Sequence, residues 1–213
     1  VQIIFKKEGF KMDLKAKDEM RNDIWKTLEN MEGSHSSKGL HGRIPSFPGS
    51  QRAAALLRAT DEWKDTEVIF SSPDTAQKMV REYALLDGKV LIMASPNMEH
   101  GYLHIDPKAA EGNEKSASTK EGAFKFSSQV KRFPRVDMVV EGSVAVDLDG
   151  GRLGKGKGYG DREIAHLFRE NAIDDGTPIV TTVHEVQIVG KVPKESHDRP
   201  INMIVTPERI IRL

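Results

Sequence analysis

Between positions 150 and 161 the chain reads Gly150-Gly151-Arg152-Leu153-Gly154-Lys155-Gly156-Lys157-Gly158-Tyr159-Gly160-Asp161. Glycines alternate with cationic side chains, and an aspartate then leads into a helical stretch over residues 162–170. Glycine lets a backbone take up positive φ and approach a ligand closely. Successive backbone N–H groups in such a loop form an anion-binding nest. The helix beyond it adds unpaired N-terminal donors and the positive end of its dipole. Arg152, Lys155 and Lys157 supply charge for a polyanion. The sum describes a phosphate cradle whose natural guest is a nucleoside triphosphate. The competing reading is a plain hairpin and turn carrying solubilising lysines. Six glycines between positions 150 and 160, three cations and a helix start weigh against it. The spacing is neither the GxxxxGK[ST] of a Walker A loop nor the GxGxxG of a dinucleotide fingerprint.

Other residues carry weaker signals. Asp161 stands where an aspartate caps a helix well. One carboxylate beside phosphate oxygens also suits magnesium, and the sequence leaves both roles open. Lys17 and Arg21 lie four apart on a first helix and share a face, where like charges repel mildly. An anion between them would reverse that, but neutralisation by Asp13 and Asp18 on a solvated face is the preferred reading. His100 and His104 sit with Glu99 and Asp106 in a segment bounded by Gly101 and Pro107. A loop there removes the meaning of a helical His-x₃-His metal spacing. His184-Glu185 and His197-Asp198 read as surface polar pairs near strand ends. No serine nucleophile in a Ser-His-Asp context stands out.

The whole chain sets outer bounds. Its 213 residues suffice for a substantial core and are expected to form a single domain over residues 1–213. There is no cysteine, which excludes disulfides, thiolate metal sites and cysteine nucleophiles. Lys+Arg and Asp+Glu are both 32, a formal net charge of zero, which argues against nucleic acid as a partner held by bulk charge. No apolar run reaches membrane-spanning length, and the first five residues are too short for a signal peptide. A cytoplasmic location is the default expectation. The oligomeric state is not legible.

The elements that must position the glycine loop follow from periodicity and punctuation. A first helix is expected from Asp13, as its cap, to about Asn30, with Met20, Ile24, Leu28 and Met31 at helical spacing. Residues 34–42 read as a loop and residues 50–60 as a second helix. Strands are expected over 67–70, 90–94, 136–140, 143–148, 179–183, 201–205 and 208–213. A helix over 72–86 starts at Ser72-Pro73-Asp74, with the proline in its first turn. Residues 95–118 read as one long loop over a site. Short apolar runs alternating with helices predict an α/β fold with a mostly parallel sheet covered on both faces. In such sheets ligands sit at the carboxyl ends of the strands.

These residues resemble a known family. The segment from Arg152 to Asp161 resembles the RLGxGxGYYD signature of 5-formyltetrahydrofolate cyclo-ligases, also called methenyltetrahydrofolate synthetases. Lys17-Asp18-Glu19-Met20-Arg21 is similar to the family's KxxLR. Residues 136–140 with Ala145-Val146-Asp147 resemble the strand before its loop. Gln187, Val192-Pro193, His197-Asp198 and Ile204-Val205-Thr206 resemble its closing pattern. Arg43-Ile44-Pro45 with Phe47, Gly49 and Ser50, and residues 141–146, are closer to the divergent methenyltetrahydrofolate synthetase domain-containing branch.

The resemblance implies a three-layer α/β sandwich of the sugar-phosphate isomerase and CoA transferase kind. It implies ATP- and magnesium-dependent conversion of 5-formyltetrahydrofolate to 5,10-methenyltetrahydrofolate, with a folate-type small molecule as substrate. Lys155 and Arg152 would be the catalytic cations. Lys17, Arg21, Gly154, Gly156, Lys157 and Gly158 would bind ATP, Tyr159 would line the folate side, and Asp161 would bind magnesium. Two positions depart from the pattern. Gly160 replaces the second tyrosine of YYD, and Glu141 replaces the proline before the glycine of the preceding strand. The family's substrate loop has no evident counterpart in residues 95–118. ATP binding thus transfers better than folate specificity. The alternatives are a nucleotide-binding relative with a regulatory or partner-binding role, and a ligase for a different substrate.

Overall fold

Side chains along the central strands alternate between two separate cores. Ile69, Leu91, Met93, Met138, Val140, Val180, Met203 and Val205 belong to one buried cluster. Phe70, Ile92, Ala94, Val139, Ile179 and Ile204 belong to another. Successive strand residues point to opposite faces, so each strand feeds both clusters and the sheet is the middle of three layers. The computed structural model describes residues 2–32, 39–193 and 199–213.

In chain order the strands are β1 (Val68–Ser71), β2 (Val90–Ala94), β3 (Tyr102–Ile105), β4 (Ser127–Gln129), β5 (Met138–Glu141), β6 (Ala145–Val146), β7 (Arg152–Leu153), β8 (Ile179–Thr182), β9 (Met203–Val205) and β10 (Ile210–Arg212). The helices are α1 (Gln2–Glu29), α2 (Ser50–Arg58), α3 (Asp61–Lys64), α4 (Lys78–Leu86), α5 (Glu114–Ala117), α6 (Lys120–Phe126) and α7 (Tyr159–Arg169). The main sheet runs β10-β9-β8-β5-β1-β2-β3-β4. Its five central strands, β9 to β2, are parallel, and antiparallel strands close both edges. Residues of α1, α2 and α4 pack into the first cluster, and Ile164 and Leu167 of α7 into the second. This is the expected α/β sandwich with helices on both faces. The chain enters the sheet at β1, proceeds to β2 and later returns to β5 on the other side of β1. That reversal makes a crevice at the carboxyl ends of β1 and β5.

Several sequence expectations need correction. Helix α1 runs through Asp13, which therefore is not its N-cap. The segment before Asp13 holds no proline and is rich in helix formers, so nothing stops the helix there. The segment 95–118 is not one loop, because it contains β3 and α5. Residues 95–101, with a 3₁₀ turn over Pro96–Met98 and Gly101 at φ +65°, connect Ala94 to Tyr102, its partner in an antiparallel hairpin. The α-helix expected from Ser72 begins at Lys78, after a 3₁₀ turn over Thr75–Gln77. The buried Arg81 guanidinium donates to the carbonyls of Ser72 and Asp74, and Asp74 stays extended with ψ 152°. Pro73 consequently lies ahead of the helix. The expected strand over 143–148 is shorter and leaves the main sheet, pairing as β6 with β7 in a separate hairpin. Most of the loop read over residues 34–42, and the pair His197-Asp198, lie outside the described residues.

The β6–β7 hairpin carries the glycine loop, and Asp147 holds the hairpin. Its fully buried carboxylate accepts from the backbone N–H of Asp149 (2.9 Å), Gly151 (2.7 Å) and Val192 (2.7 Å). A Cβ at Gly151 would collide with that carboxylate. Asp147→Ala strands these donors, and at about 1–3 kcal/mol for a buried unsatisfied group the expected loss of unfolding free energy is about 3 kcal/mol or more. Urea denaturation measures it; a loss below about 1 kcal/mol contradicts the assigned role.

Candidate functional site

The crevice at the switch point is lined by the ends of three adjacent parallel strands. Asp74 follows β1, Ser95 and Met98 follow β2, and Glu141 and Gly142 close β5. The hairpin and α7 contribute Arg152, Gly154, Lys155, Gly158, Tyr159, Gly160, Asp161 and Glu163 to the same cavity of about 110 Å³. The glycine loop follows the small hairpin rather than a strand of the main sheet, but it reaches the ligand position from above.

Local geometry explains the glycines. Gly156 and Gly158 have φ of +92° and +63°, a left-handed conformation that glycine adopts without steric cost. Gly158 is the N-cap of α7. Asp161 therefore lies inside the first turn, and the helix starts earlier than the expected Arg162. Its carboxylate instead pairs with Arg152, whose terminal nitrogen lies 2.5 Å from Asp161 Oδ1. A second terminal nitrogen of Arg152 donates to the Gly142 carbonyl at 3.0 Å. Burial opposes the charge on this guanidinium, but the carboxyl groups of Asp161 and Glu141 outweigh it and leave its pKa raised.

The other predicted cations are distributed as follows. Lys155 lines the cavity and donates to Asp74 Oδ1 at 3.2 Å. Arg21 is buried against the loop, donating its Nε–H to the Gly154 carbonyl at 2.9 Å and pairing with Asp18 at 2.6 Å. A Cβ on Gly156 would lie 3.4 Å from the Arg21 Cζ. Lys17, one turn earlier, is buried as well, so this face of α1 is not the solvated one expected. Lys157 is exposed and absent from the cavity wall, its carbonyl accepting from Arg162. His184 caps a short turn and Glu185 pairs with Arg209, so both are structural.

A second cleft, about 550 Å³, adjoins the first and shares Met98, Tyr159 and Glu163 with it. Tyr102 and Tyr159 give it aromatic surface, and Arg162, His166 and Arg169 give it charge. The Tyr102 hydroxyl lies 3.0 Å from His166 Nδ1, and Phe133 packs edge-on against Tyr102 at 4.9 Å. Tyr159 lines both cavities, and Tyr102 lines only the second. Phe124 packs against His100, and Phe126 packs on the first core.

Asp74, Glu141 and Glu163 are the functional candidates that residue spacing missed. The Glu141 and Glu163 carboxyl groups are both buried and each shifts the other's titration. Burial and the Glu163 charge push Glu141 well above the usual carboxylate range, against the pull of Arg152. Burial raises Glu163 less, to about 6, because the hydrogen bond from Glu141 holds it down. Glu141 Oε1 and Arg152 Nε are both buried without a hydrogen-bond partner, an arrangement that costs about 1–3 kcal/mol per group. A signal for Glu141 and Asp74 did exist, since both stand at carboxyl ends of strands. Glu163 falls four residues after Tyr159 on the same helix face, which only the known helix start reveals.

The raised Glu141 sets a stability prediction. The folded chain keeps a proton that the unfolded chain releases near pH 4.5, so its contribution is greatest below that pH and is lost as pH rises. Glu163, Arg152 and Asp74 are the charges that face it. Glu141→Gln has no proton to lose. Its melting temperature relative to the native chain is expected to climb between pH 5 and pH 8; a flat difference across that range contradicts the assigned protonation.

Comparison with known proteins places the chain in a family. Residues 13–207 match the 5-formyltetrahydrofolate cyclo-ligase family. The methenyltetrahydrofolate synthase domain-containing protein of Bos taurus is 34% identical over 204 residues, covering 92% of this chain and 53% of that protein. The chain thus spans about half the length of the curated relatives it matches. The solved 5,10-methenyltetrahydrofolate synthetase of Aquifex aeolicus superposes with a TM-score of 0.60 at 20% identity, over 92% of each chain. That of Mycoplasma pneumoniae gives 0.56 at 14% identity, over 89% of this chain and 97% of the other. Those two identities speak to the fold alone. No helix among the described residues is long and apolar enough to cross a membrane. From its sequence match over residues 13–207 and from this fold, the chain belongs to the 5-formyltetrahydrofolate cyclo-ligase family.

Proposed function

We propose that this chain converts 5-formyltetrahydrofolate and ATP to 5,10-methenyltetrahydrofolate, ADP and phosphate. The observation that carries the reading is the junction of two cavities. A glycine-lined cavity holding Lys120, Arg152 and Lys155 beside four carboxyl groups opens next to a cleft lined by Tyr102 and Tyr159. The first accepts a triphosphate and the second a flat, partly apolar substrate.

The chemistry asks mainly for positioning and charge neutralisation. The formyl oxygen attacks the γ-phosphorus while the bond to the β-phosphate oxygen breaks, releasing ADP. N10 then attacks the activated carbon, its proton departs, and the C–O bond breaks to release phosphate. No protein nucleophile is needed. Lys155 and the backbone N–H groups over residues 154–158 hold the phosphates. Arg152, anchored on Gly142, offsets charge at the cavity floor. Arg21 fixes the loop through Gly154, and Tyr159 lies where the two cavities meet.

Magnesium fits the donor set. It takes one or two carboxylates with phosphate oxygens and water. Arg152 occupies one oxygen of Asp161 and leaves the other for a cation, with Asp74 and Glu163 in the same cavity. When bound, the ion neutralises phosphate charge.

A second reading, a ligase for a different acceptor, draws on Glu141. A carboxyl group stands where the family resemblance has an uncharged proline. Both readings share the cradle.

Lys155→Ala is expected to weaken ATP binding at least about tenfold, a loss of ~1.4 kcal/mol, with an unchanged circular dichroism spectrum. Methenyltetrahydrofolate absorbance should grow only with protein, ATP, magnesium and 5-formyltetrahydrofolate together, and not with this variant. Absence of growth with the native chain refutes the cyclisation. Asp161→Asn should shift the magnesium titration of turnover to higher concentration; superimposable titrations would leave Asp161 as a partner of Arg152 only.

A further inference from the structure

We propose that Lys120 is a further catalytic cation, one that meets the terminal phosphoryl group of a bound triphosphate on the side facing the acceptor. The inference rests on the cyclo-ligase reading and adds a residue to that site. Lys120 lines the cavity of the glycine loop and is absent from the aromatic cleft. The other two cations of that cavity are engaged, Lys155 by Asp74 and Arg152 by Asp161. The half-buried Lys120 ammonium has no hydrogen-bond or ion-pair partner among the described residues. Asp74, Lys155, Arg81 and Arg43 are the charges that face it, and three of these four are positive. An ammonium held among like charges at a cavity wall gains from an anionic guest.

The fold fixes the place of this residue. Lys120 opens α6, whose Ala123 packs into the first core, so it reaches the cavity from the layer opposite α7. Thr119 caps the helix, accepting from the Gly122 N–H at 2.9 Å. Gly122 admits the close turn from α5, because a Cβ there would fall 2.0 Å from the Ser116 carbonyl oxygen. The fully buried Arg81 then ties this turn to the end of β1. Its Nε–H donates to the Ser118 carbonyl at 2.8 Å, and a terminal nitrogen donates to the carbonyls of Ser72 and Asp74. A buried guanidinium is a costly way to hold a turn, and what its two segments share is the cavity that Asp74 and Lys120 line. The direction of the ligand follows from the sheet. Helix α6 packs on β3, which begins at Tyr102 of the aromatic cleft, and Met98 before it lines both cavities. The glycine loop comes from the other side, held by Gly142 after β5 and by Arg21 of α1. A triphosphate seated on the loop and aimed at an acceptor in the cleft thus brings its last phosphoryl group toward Lys120. As the formyl oxygen bonds to that phosphorus and the bond to the β-phosphate oxygen breaks, an ammonium there stabilises charge on the transferring oxygens. Lys120 forms no covalent bond and passes no proton.

The test compares two nucleotides. A non-hydrolysable ATP analogue and ADP, each with magnesium, are titrated calorimetrically into the native chain, Lys120→Met and Lys120→Arg. Methionine keeps the unbranched stem and loses the charge, and ADP affinity serves as the control for folding. Lys120→Met is expected to weaken the analogue at least about tenfold while ADP affinity stays within about threefold. Its single-turnover formation of methenyltetrahydrofolate, at saturating ATP and 5-formyltetrahydrofolate, is expected to slow at least about tenfold. Lys120→Arg is expected to recover most of the analogue affinity. Native analogue affinity and native turnover in Lys120→Met overturn the assignment and leave the cyclo-ligase reading standing. Equal loss of analogue and ADP binding overturns it in favour of a structural role. Arginine as poor as methionine overturns the part given to charge. A native chain that binds the analogue but forms no methenyltetrahydrofolate overturns the cyclo-ligase reading itself, and the catalytic role of Lys120 with it.

Discussion

A single buried guanidinium joins the three parts of this site. Arg152 belongs to the β6–β7 hairpin, yet it donates to the carbonyl of Gly142 just beyond β5 and to Asp161 in the first turn of α7. The glycine loop between the hairpin and the helix is therefore clamped at both ends to the sheet. The charge is tolerable in the interior because carboxyl groups surround it. Removing either side would leave the other as an uncompensated buried charge, which is strongly destabilising. The same clamp keeps Gly154, Lys155 and Gly158 at the cavity beside the carboxyl ends of β1 and β5. Position of the loop, start of the helix and charge balance of the cavity all follow from it.

The cavity is acidic as well as basic. Asp74, Glu141, Asp161 and Glu163 line it together with Lys120, Arg152 and Lys155. In the absence of a phosphate, Asp74 holds Lys155 and Asp161 holds Arg152. In the proposed reading a polyanion would compete for both cations, and the displaced carboxylates would then face a divalent ion.

Much of the framework was legible in the sequence, because the relevant physics is local. Apolar runs gave the central strands, Asp87-Gly88 the end of α4, and the glycine alternation the loop and its place in a ligand crevice. The failures have a common physical origin in long-range contacts. Asp161 reads as a cap from its neighbours alone, but Gly158 takes that place and Asp161 turns to Arg152. The strand β3 was hidden because Gly101 and Pro107, read locally, mark irregular chain. The extended segment before α4 depends on Arg81 reaching back to Ser72 and Asp74. Lys17 and Arg21 read as solvated because nothing near them in sequence shows that both are buried and that Arg21 packs on Gly154. The close approach of Glu141 to Gly160 crosses from the sheet to α7 and leaves no local trace.

The central claim is that this cradle brings the γ-phosphoryl group to the formyl oxygen. In the proposed cyclisation that oxygen leaves the folate in the released phosphate, so its fate reports the bond changes directly. 5-Formyltetrahydrofolate labelled with oxygen-18 in the formyl group, turned over once with ATP and magnesium, is expected to yield phosphate carrying one labelled oxygen. Phosphate free of label, or ATP hydrolysis that proceeds equally without folate, would contradict the account.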